Sequence, residues 1–356
     1  MSEGHLQILN WNIAGAKYLD LPAGDGANTR GEFRDKLNKG LAHQIAATQP
    51  HVVTLQELVK YSDSGDEEHA ECVIDVPSGY IFYRRWLIST NLQSAERKWV
   101  NVRTRGGWSP AAYFAQGNGF LVRDTLKIAR LHERPLSGYA PPKVESAAER
   151  VDLGPGLYFG TRDTEPRSAD IIHLILTSLD PMDSRAGEPN RLRKPLDVFI
   201  MNAHLTTLSG EREGKPETDE LATEKRLPQL EIILKQAVSK YNTVYPVLFD
   251  DETRHQPIWV VAGDFNFTPS SVEYHRMISP GGFVDLVPDK KLGTKTSRLG
   301  RRPTLTLDYV FAATEFVSLD HEYLYAHINN NRVIYDEFVK VSDHFPLAAT
   351  LPIRLP

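Results

Sequence analysis

The chain has 356 residues, a length that fits one large domain or two ordinary ones. Hydrophobic residues at 41%, charged residues at 24% and aromatics at 9% exclude an intrinsically disordered chain and supply a sizeable core. The 41 Lys and Arg against 46 Asp and Glu give a formal charge of −5, which excludes a protein that coats nucleic acid through a uniformly basic surface. The single cysteine, Cys72, excludes a disulfide framework and a cysteine-based zinc site, and it points to a reducing compartment.

The first residues, Met-Ser-Glu-Gly-His, lack the basic and apolar regions of a signal peptide, and no apolar run nears the roughly 20 residues that a membrane span needs. A cytoplasmic protein without a membrane span is therefore expected. In chain order, short apolar, β-branched runs predict strands over 6–13, 52–55, 80–86, 119–122, 171–176, 198–203, 258–262, 307–312 and 347–351. Phe33, Leu37, Leu41 and Ile45 recur every four residues and predict a helix between the first two strands. Leu227, Leu230, Ile233, Leu234, Ala237 and Val238 predict a second, ending near Tyr241. A shorter helix is expected after Pro269, capped by Thr268 or Ser270. Many strands, few helices and no regular βαβ alternation predict an α+β sandwich with sheets inside and helices outside. The polar stretches 136–155 and 209–219 are possible breaks, but the chemical motifs fall on both sides of each. One domain over 1–356, with surface insertions near 60–110, 132–165 and 208–225, accounts for that better than two.

Four stretches place polar groups at strand ends. Asn12 closes the run Leu9-Asn10-Trp11-Asn12-Ile13, either as a neutral oxygen ligand for a hard cation or as a turn-initiating Asn. Glu57 ends Val52-Val53-Thr54-Leu55-Gln56-Glu57, where a carboxylate must be solvated, paired or bound to a cation such as Mg²⁺. Gly263-Asp264-Phe265-Asn266 follows a buried strand and presents Asp264 and Asn266 two residues apart, pointing the same way in extended backbone. Ser342-Asp343-His344-Phe345-Pro346 precedes the last strand, and its adjacent Asp343 and His344 diverge, so each serves a different partner. His204 ends another strand, Asp308 sits amid apolar neighbours and needs a partner, and Glu165 heads Glu165-Pro166-Arg167. A carboxylate beside each histidine fixes its tautomer and keeps it cationic, and Glu165 and Asp308 are available for that work.

These motifs, in this order, resemble the endonuclease/exonuclease/phosphatase superfamily, the fold of DNase I and exonuclease III, over nearly the whole chain. Gly263-Asp264-Phe265-Asn266 and Ser342-Asp343-His344 are the most specific pieces. The resemblance implies a four-layer α/β/β/α sandwich of two mainly antiparallel sheets flanked by helices. It also implies a divalent-metal-dependent phosphodiesterase, most readily a nuclease acting on DNA or RNA. In that reading Asn12, Glu57 and Asp343 hold Mg²⁺ or Mn²⁺, directly or through water. Asp264 orients and deprotonates the attacking water, and Asn266 helps to position it or the phosphate. His204 and His344 donate to phosphate oxygens, with Glu165 and Asp308 as their orienting carboxylates. Ala14 stands where AP endonucleases often carry an acid, and Thr306-Leu307-Asp308-Tyr309 replaces the Trp-Cys-Asp-Arg of inositol polyphosphate 5-phosphatases. Both branches are thereby disfavoured.

Lys290, Lys291, Lys295, Arg298, Arg301 and Arg302 form an acid-free stretch leading into the Asp308 strand, either a phosphate grip or a solvated loop. Trp99, Arg103, Arg105 and Trp108 interleave aromatic and basic groups as single-strand binders do, or contribute core packing. The acidic run 63–71 reads as an exposed loop or as a feature that repels long polyanions. The insert 209–224 reads as a lid or a substrate wall. A small-molecule phosphatase, a sphingomyelinase-like phosphodiesterase and a non-catalytic binding module are the competing functions. The last conflicts with the presence of Glu57, Asp264, Asn266 and His344 together.

Overall fold

The computed structural model describes residues 2–15, 21, 29–62, 68–91, 113–129, 148–155, 166–180, 189–206, 216–239, 257–279, 282–289, 293–295, 305–313, 331–335 and 341–355. Glu165, the 99–108 segment and most of the basic stretch 290–302 lie outside these residues.

Two seven-stranded sheets form the centre of the molecule. The first holds β1 (Ser2–Asn12), β2 (Val52–Ser62), β3 (Glu71–Cys72), β4 (Tyr80–Asn91), β5 (Tyr113–Arg123), β13 (Arg332–Val333) and β14 (Leu347–Leu355), in the order β13-β14-β1-β2-β5-β4 with β3 also on β2. The second holds β6 (Lys127–Ala129), β7 (Glu149–Pro155), β8 (Pro166–Leu179), β9 (Asn190–His204), β10 (Ile258–Asp264), β11 (Phe283–Asp285) and β12 (Asp308–Ala313), in the order β11-β12-β10-β9-β8-β6 with β7 also on β8. Each sheet has one parallel pair, β1 with β2 and β9 with β10, and its remaining pairs are antiparallel.

A parallel pair needs a crossover, and a helix supplies each one. Helix α1 (Arg30–Thr48) joins β1 to β2, capped by Thr29, whose hydroxyl accepts from the Glu32 N–H. Phe33, Leu37, Leu41 and Ile45 are its buried face, as the four-residue spacing predicts. Helix α2 (Pro216–Glu231), continuing as a π-helical turn over Ile232–Ser239, lies between β9 and β10. It begins inside the stretch expected to be a lid or wall, and its Ala222, packed with Leu307, shows that part to be helix rather than loop. Helix α3 (Val272–Ile278) is capped by Ser271, which accepts from the Tyr274 N–H, and not by Thr268 or Ser270. Thr268 and Ser270 instead hydrogen-bond each other. No helix among the described residues is long and apolar enough to cross a membrane.

Strand alternation sorts the layers. In β10, Ile258, Val260 and Ala262 join the core between the sheets, whereas Trp259 and Val261 join Leu230 and Ile233 on the helical side. The order is therefore helix, sheet, sheet, helix. Every residue of β10 is buried, which explains why its sequence is a continuous apolar run rather than an alternating one.

The inter-sheet core turns polar towards one edge. Thr54 and Gln56 both donate to Asn10 Oδ1, at 2.7 and 2.9 Å, and Asn10 donates across the gap to the Gly263 carbonyl. Gln56 also donates to Asn202 Oδ1 at 2.7 Å, and the Asn202 amide donates to the carbonyls of Leu55 and Gly119, both at 2.9 Å. These side chains are fully buried, so the network ties the two sheets together in a medium where unmade hydrogen bonds are costly. Asn202→Ala removes the side-chain donor to two carbonyls and one of the two acceptors of the Gln56 amide, and the expected loss is about 2–4 kcal/mol in urea unfolding. A loss under about 0.5 kcal/mol, typical of an innocuous surface change, would mean that the network does not hold the sheets.

Candidate functional site

The ends of both parallel pairs and the starts of their antiparallel neighbours meet at that same edge. Asp264 ends β10 in register with His204, which ends β9, and with Asp308, which begins β12. Gly263 makes this possible. Its φ is +151°, and a Cβ there would lie 1.8 Å from the Ala203 carbonyl oxygen, so a side chain would drive β9 and β10 apart.

From the other sheet, Asn12 ends β1 and reaches across the gap. Its amide donates to Asp264 Oδ2 at 2.9 Å and to Glu57 Oε1 at 3.1 Å, while its own Oδ1 accepts the Ala14 N–H at 2.9 Å. Asn12 thus presents its donor end to two carboxylates, with one lone pair of its oxygen left over. Glu57 sits at a register shift in β2 between Leu55 and Leu58 and has a left-handed φ of 56°. That bulge turns Glu57 towards Asn12, and such a conformation in a non-glycine residue is a local strain that the surroundings must impose.

Asn266, φ 52°, is held in the left-handed region between two buried aromatic anchors, Phe265 and Phe267. Its N–H donates to Asp264 Oδ1 at 3.0 Å and its side-chain amide to the Leu205 carbonyl, which fixes the turn after His204. Thr206 and Gln229 of α2 hydrogen-bond each other and pin the same turn from the helix side. The Ser342-Asp343-His344 loop is fastened to β1 twice: the Ser342 hydroxyl donates to the Asn12 carbonyl at 2.8 Å, and the Trp11 indole donates to the His344 carbonyl at 3.1 Å.

His344 Nδ1–H donates to Asp308 Oδ2 at 2.9 Å, the pairing expected from the sequence. Its Nε2 is buried without a hydrogen-bond partner, 3.6 Å from Asp264 Oδ2. Burial alone would depress the His344 pKa, but Asp308 and Asp264 outweigh burial and Lys295, so it rises above its ordinary value. Burial first, and then Asp308, push Asp264 up to about 6 against the opposing pull of His344, Lys295 and Asn12. His204 goes the other way: burial, with Arg167, His344 and Lys295 nearby, holds it well below its ordinary value. Its carboxylate neighbour is Asp264, at 3.8 Å, too far for a hydrogen bond, and Glu165 is outside the described residues.

Two cations at this edge are not singled out by the sequence, although Lys295 belongs to the stretch read as a phosphate grip or a solvated loop. Arg167, buried, was visible only as the tail of Glu165-Pro166-Arg167. Lys295 was one of six basic residues in a run with nothing to set it apart, yet it is buried and its Nζ lies 3.9 Å from Asp343 Oδ2.

The residues fit a divalent cation. Four carboxylates, Glu57, Asp264, Asp308 and Asp343, belong to one edge. Among the described residues the group that brings one ligand atom each within 4.8 Å of one another is Asp264, Asp308 and His344, all buried, and the ligands expected from the sequence, Asn12, Glu57 and Asp343, are not in it. Carboxylate oxygens are what Mg²⁺ or Mn²⁺ takes. The donor set is hard, with no thiolate among it.

The sequence profile of the Endonuclease/Exonuclease/phosphatase family matches residues 9–344. Among curated proteins no match is found. A solved endonuclease/exonuclease/phosphatase from Beutenbergia cavernae DSM 12333 superposes with a TM-score of 0.51 at 17% identity, covering 98% of this chain and 71% of that one. A family protein from Bacteroides thetaiotaomicron superposes with a TM-score of 0.50 at 12% identity and covers 100% of both chains. At these identities the likeness is one of fold.

The raised Asp264 pKa has a consequence for stability. A carboxyl whose folded pKa of about 6 exceeds its unfolded value near 3.9 contributes stability below about pH 4 and loses it as the pH rises through 6. Metal-free wild type is therefore expected to lose stability as the pH rises from 4 through 6, and Asp264→Asn to lose less over that window in pH-dependent melting. An equal or steeper loss in Asp264→Asn would contradict the strained-carboxylate account.

Proposed function

Because the chain belongs to the endonuclease/exonuclease/phosphatase family, whose members are phosphoric ester hydrolases, we propose that it hydrolyses phosphodiesters with the help of a divalent metal ion and that its substrate is a nucleic acid. The observation that carries the reading is the pair formed by Asp264 and His344. A carboxylate able to accept a proton near neutral pH lies 3.6 Å from the buried Nε2 of His344, which has no hydrogen-bond partner of its own. A water to be deprotonated and a phosphate oxygen to be held supply what each group lacks.

Asp264 takes the proton of the attacking water, with Asn12 and the Asn266 N–H fixing its two oxygens. His344 donates from Nε2 to a non-bridging oxygen and is kept protonated by Asp308 through Nδ1. His204 donates to a second oxygen, and Glu165 is assigned to orient it. Asn266 positions the water or the phosphate. Glu57 and Asp343 are assigned to hold Mg²⁺ or Mn²⁺, and Asn12 orients Glu57 while its oxygen reaches the ion or its water. When bound, such an ion stabilises the charge that builds on the phosphate and on the leaving oxygen. The basic stretch 290–302 leads into β12 and favours a polyanionic substrate over a single small ester.

The test is a hydrolysis panel of single- and double-stranded DNA, RNA, inositol phosphates and sphingomyelin with Mg²⁺, Mn²⁺ or EDTA. Metal-dependent cleavage of a nucleic acid that Asp264→Asn lacks is the expected result. Turnover confined to a small ester would remove the nuclease reading and keep the hydrolase. Glu57→Gln is expected to raise the metal concentration at half-maximal rate, and an unchanged metal titration would remove Glu57 as a ligand.

A further inference from the structure

Lys295 is the one basic residue of the 290–302 stretch whose side chain is both described and buried, at 7% exposed. Its backbone is fixed from two sides. The Lys295 N–H donates to the Leu305 carbonyl at 2.8 Å, the Leu305 N–H donates back at 3.1 Å, and Lys295 forms a second antiparallel bridge with His344. The neighbouring Thr294 carbonyl accepts the Phe345 N–H at 2.8 Å. The side chain therefore enters the site from a braced turn rather than from a free loop.

An ammonium carries three donors, and on a largely buried side chain each is left to water or to a ligand unless the protein supplies an acceptor. Among the described residues its one ionic partner is Asp343 Oδ2 at 3.9 Å, beyond hydrogen-bond distance. The bridge to His344 and the approach to Asp343 place Lys295 beside the groups that surround the reacting centre.

We infer that Lys295 is a further phosphate-binding residue, whose ammonium donates to a non-bridging oxygen of the phosphate group held between His204 and His344. The inference rests on the reading of this edge as a phosphate site and adds to it a grip that works without the metal. Its recognition is of a point charge, so it takes a phosphate of any ester and does not choose the base or the sugar.

The test is calorimetric titration of the metal-free protein, in EDTA, with inorganic phosphate and with AMP, and with adenosine as the phosphate-free control. The wild type is expected to bind phosphate and AMP. Lys295→Met is expected to lose about tenfold or more of that affinity, the worth of a charge-assisted hydrogen bond, while Lys295→Arg retains most of it. A melting curve on each variant separates a structural role, which would move stability and leave phosphate affinity alone. Metal-free wild type that binds neither phosphate nor AMP would overturn the inference, as would unchanged affinity in Lys295→Met. Phosphate binding that depends on Lys295 in a protein that hydrolyses no ester would leave Lys295 in place and remove the hydrolase reading. Ester hydrolysis with Lys295-independent phosphate binding would do the reverse.

Discussion

Two carboxylates, Asp264 and Asp308, stand side by side in the register of β10 and β12, both buried, with one imidazole between them and the rest of the site. Buried like charges cannot coexist without a cation or a proton. Here His344 and Asp264 both have their affinity for protons raised, His344 by Asp308 and Asp264 against burial, and Asp264 by burial and Asp308. The remaining architecture follows from keeping His344 where it is. The loop that carries it must be fastened, and Trp11 and Ser342 fasten it to β1. The strand that carries Asp308 must begin at a defined residue, and Thr294 defines it by accepting the N–H groups of Leu307 and Asp308 at 2.9 and 3.1 Å.

The same arrangement explains why the two sheets are bound by hydrogen bonds as well as by apolar packing. A purely apolar interface tolerates sliding, whereas the chain Thr54–Asn10–Gln56–Asn202 accepts only one relative position of β1, β2, β5 and β9. That position brings Asn12 within 2.9 Å of Asp264. The strained residues Glu57, Asn266 and Ala14 all lie at this edge, where left-handed backbone turns side chains that strand alternation would aim elsewhere.

Much of this was legible in the sequence, for physical reasons that differ by element. The nine principal strands and α1 declare themselves because burial on one or both faces forces apolar runs or a four-residue period. Asp264 and Asn266 stand out because Gly-Asp-Phe-Asn after a hydrophobic strand has few other uses. The short strands β3, β6, β11 and β13 have too few residues to show a period, and β7, Glu149-Arg150-Val151-Asp152-Leu153-Gly154-Pro155, is too polar and too close to Gly and Pro to read as a strand. The cap of α3 was misplaced because three hydroxyl residues, Thr268, Ser270 and Ser271, compete within one turn and tertiary packing chooses among them. Lys295 was hidden for a deeper reason. A lysine becomes a buried site cation only when Leu305 and His344 close on its backbone, and nothing in a run of six basic residues marks which one that will be. The downward pull on the His204 pKa likewise comes from burial and from Arg167, His344 and Lys295, which arrive from distant segments.

The central claim is that Asp264 and His344 form one coupled acid–base unit governed by Asp308. The most direct test is the pH dependence of kcat/KM on a cleaved phosphodiester, in the wild type and in Asp308→Asn. The account predicts a bell in the wild type, its acid limb set by deprotonation of Asp264 and its alkaline limb by loss of the His344 proton, both belonging to the coupled pair. Because Asp308 raises the proton affinity of both groups, its removal is predicted to move both limbs to lower pH. Limbs that stay in place, or that move in opposite directions, would contradict the account.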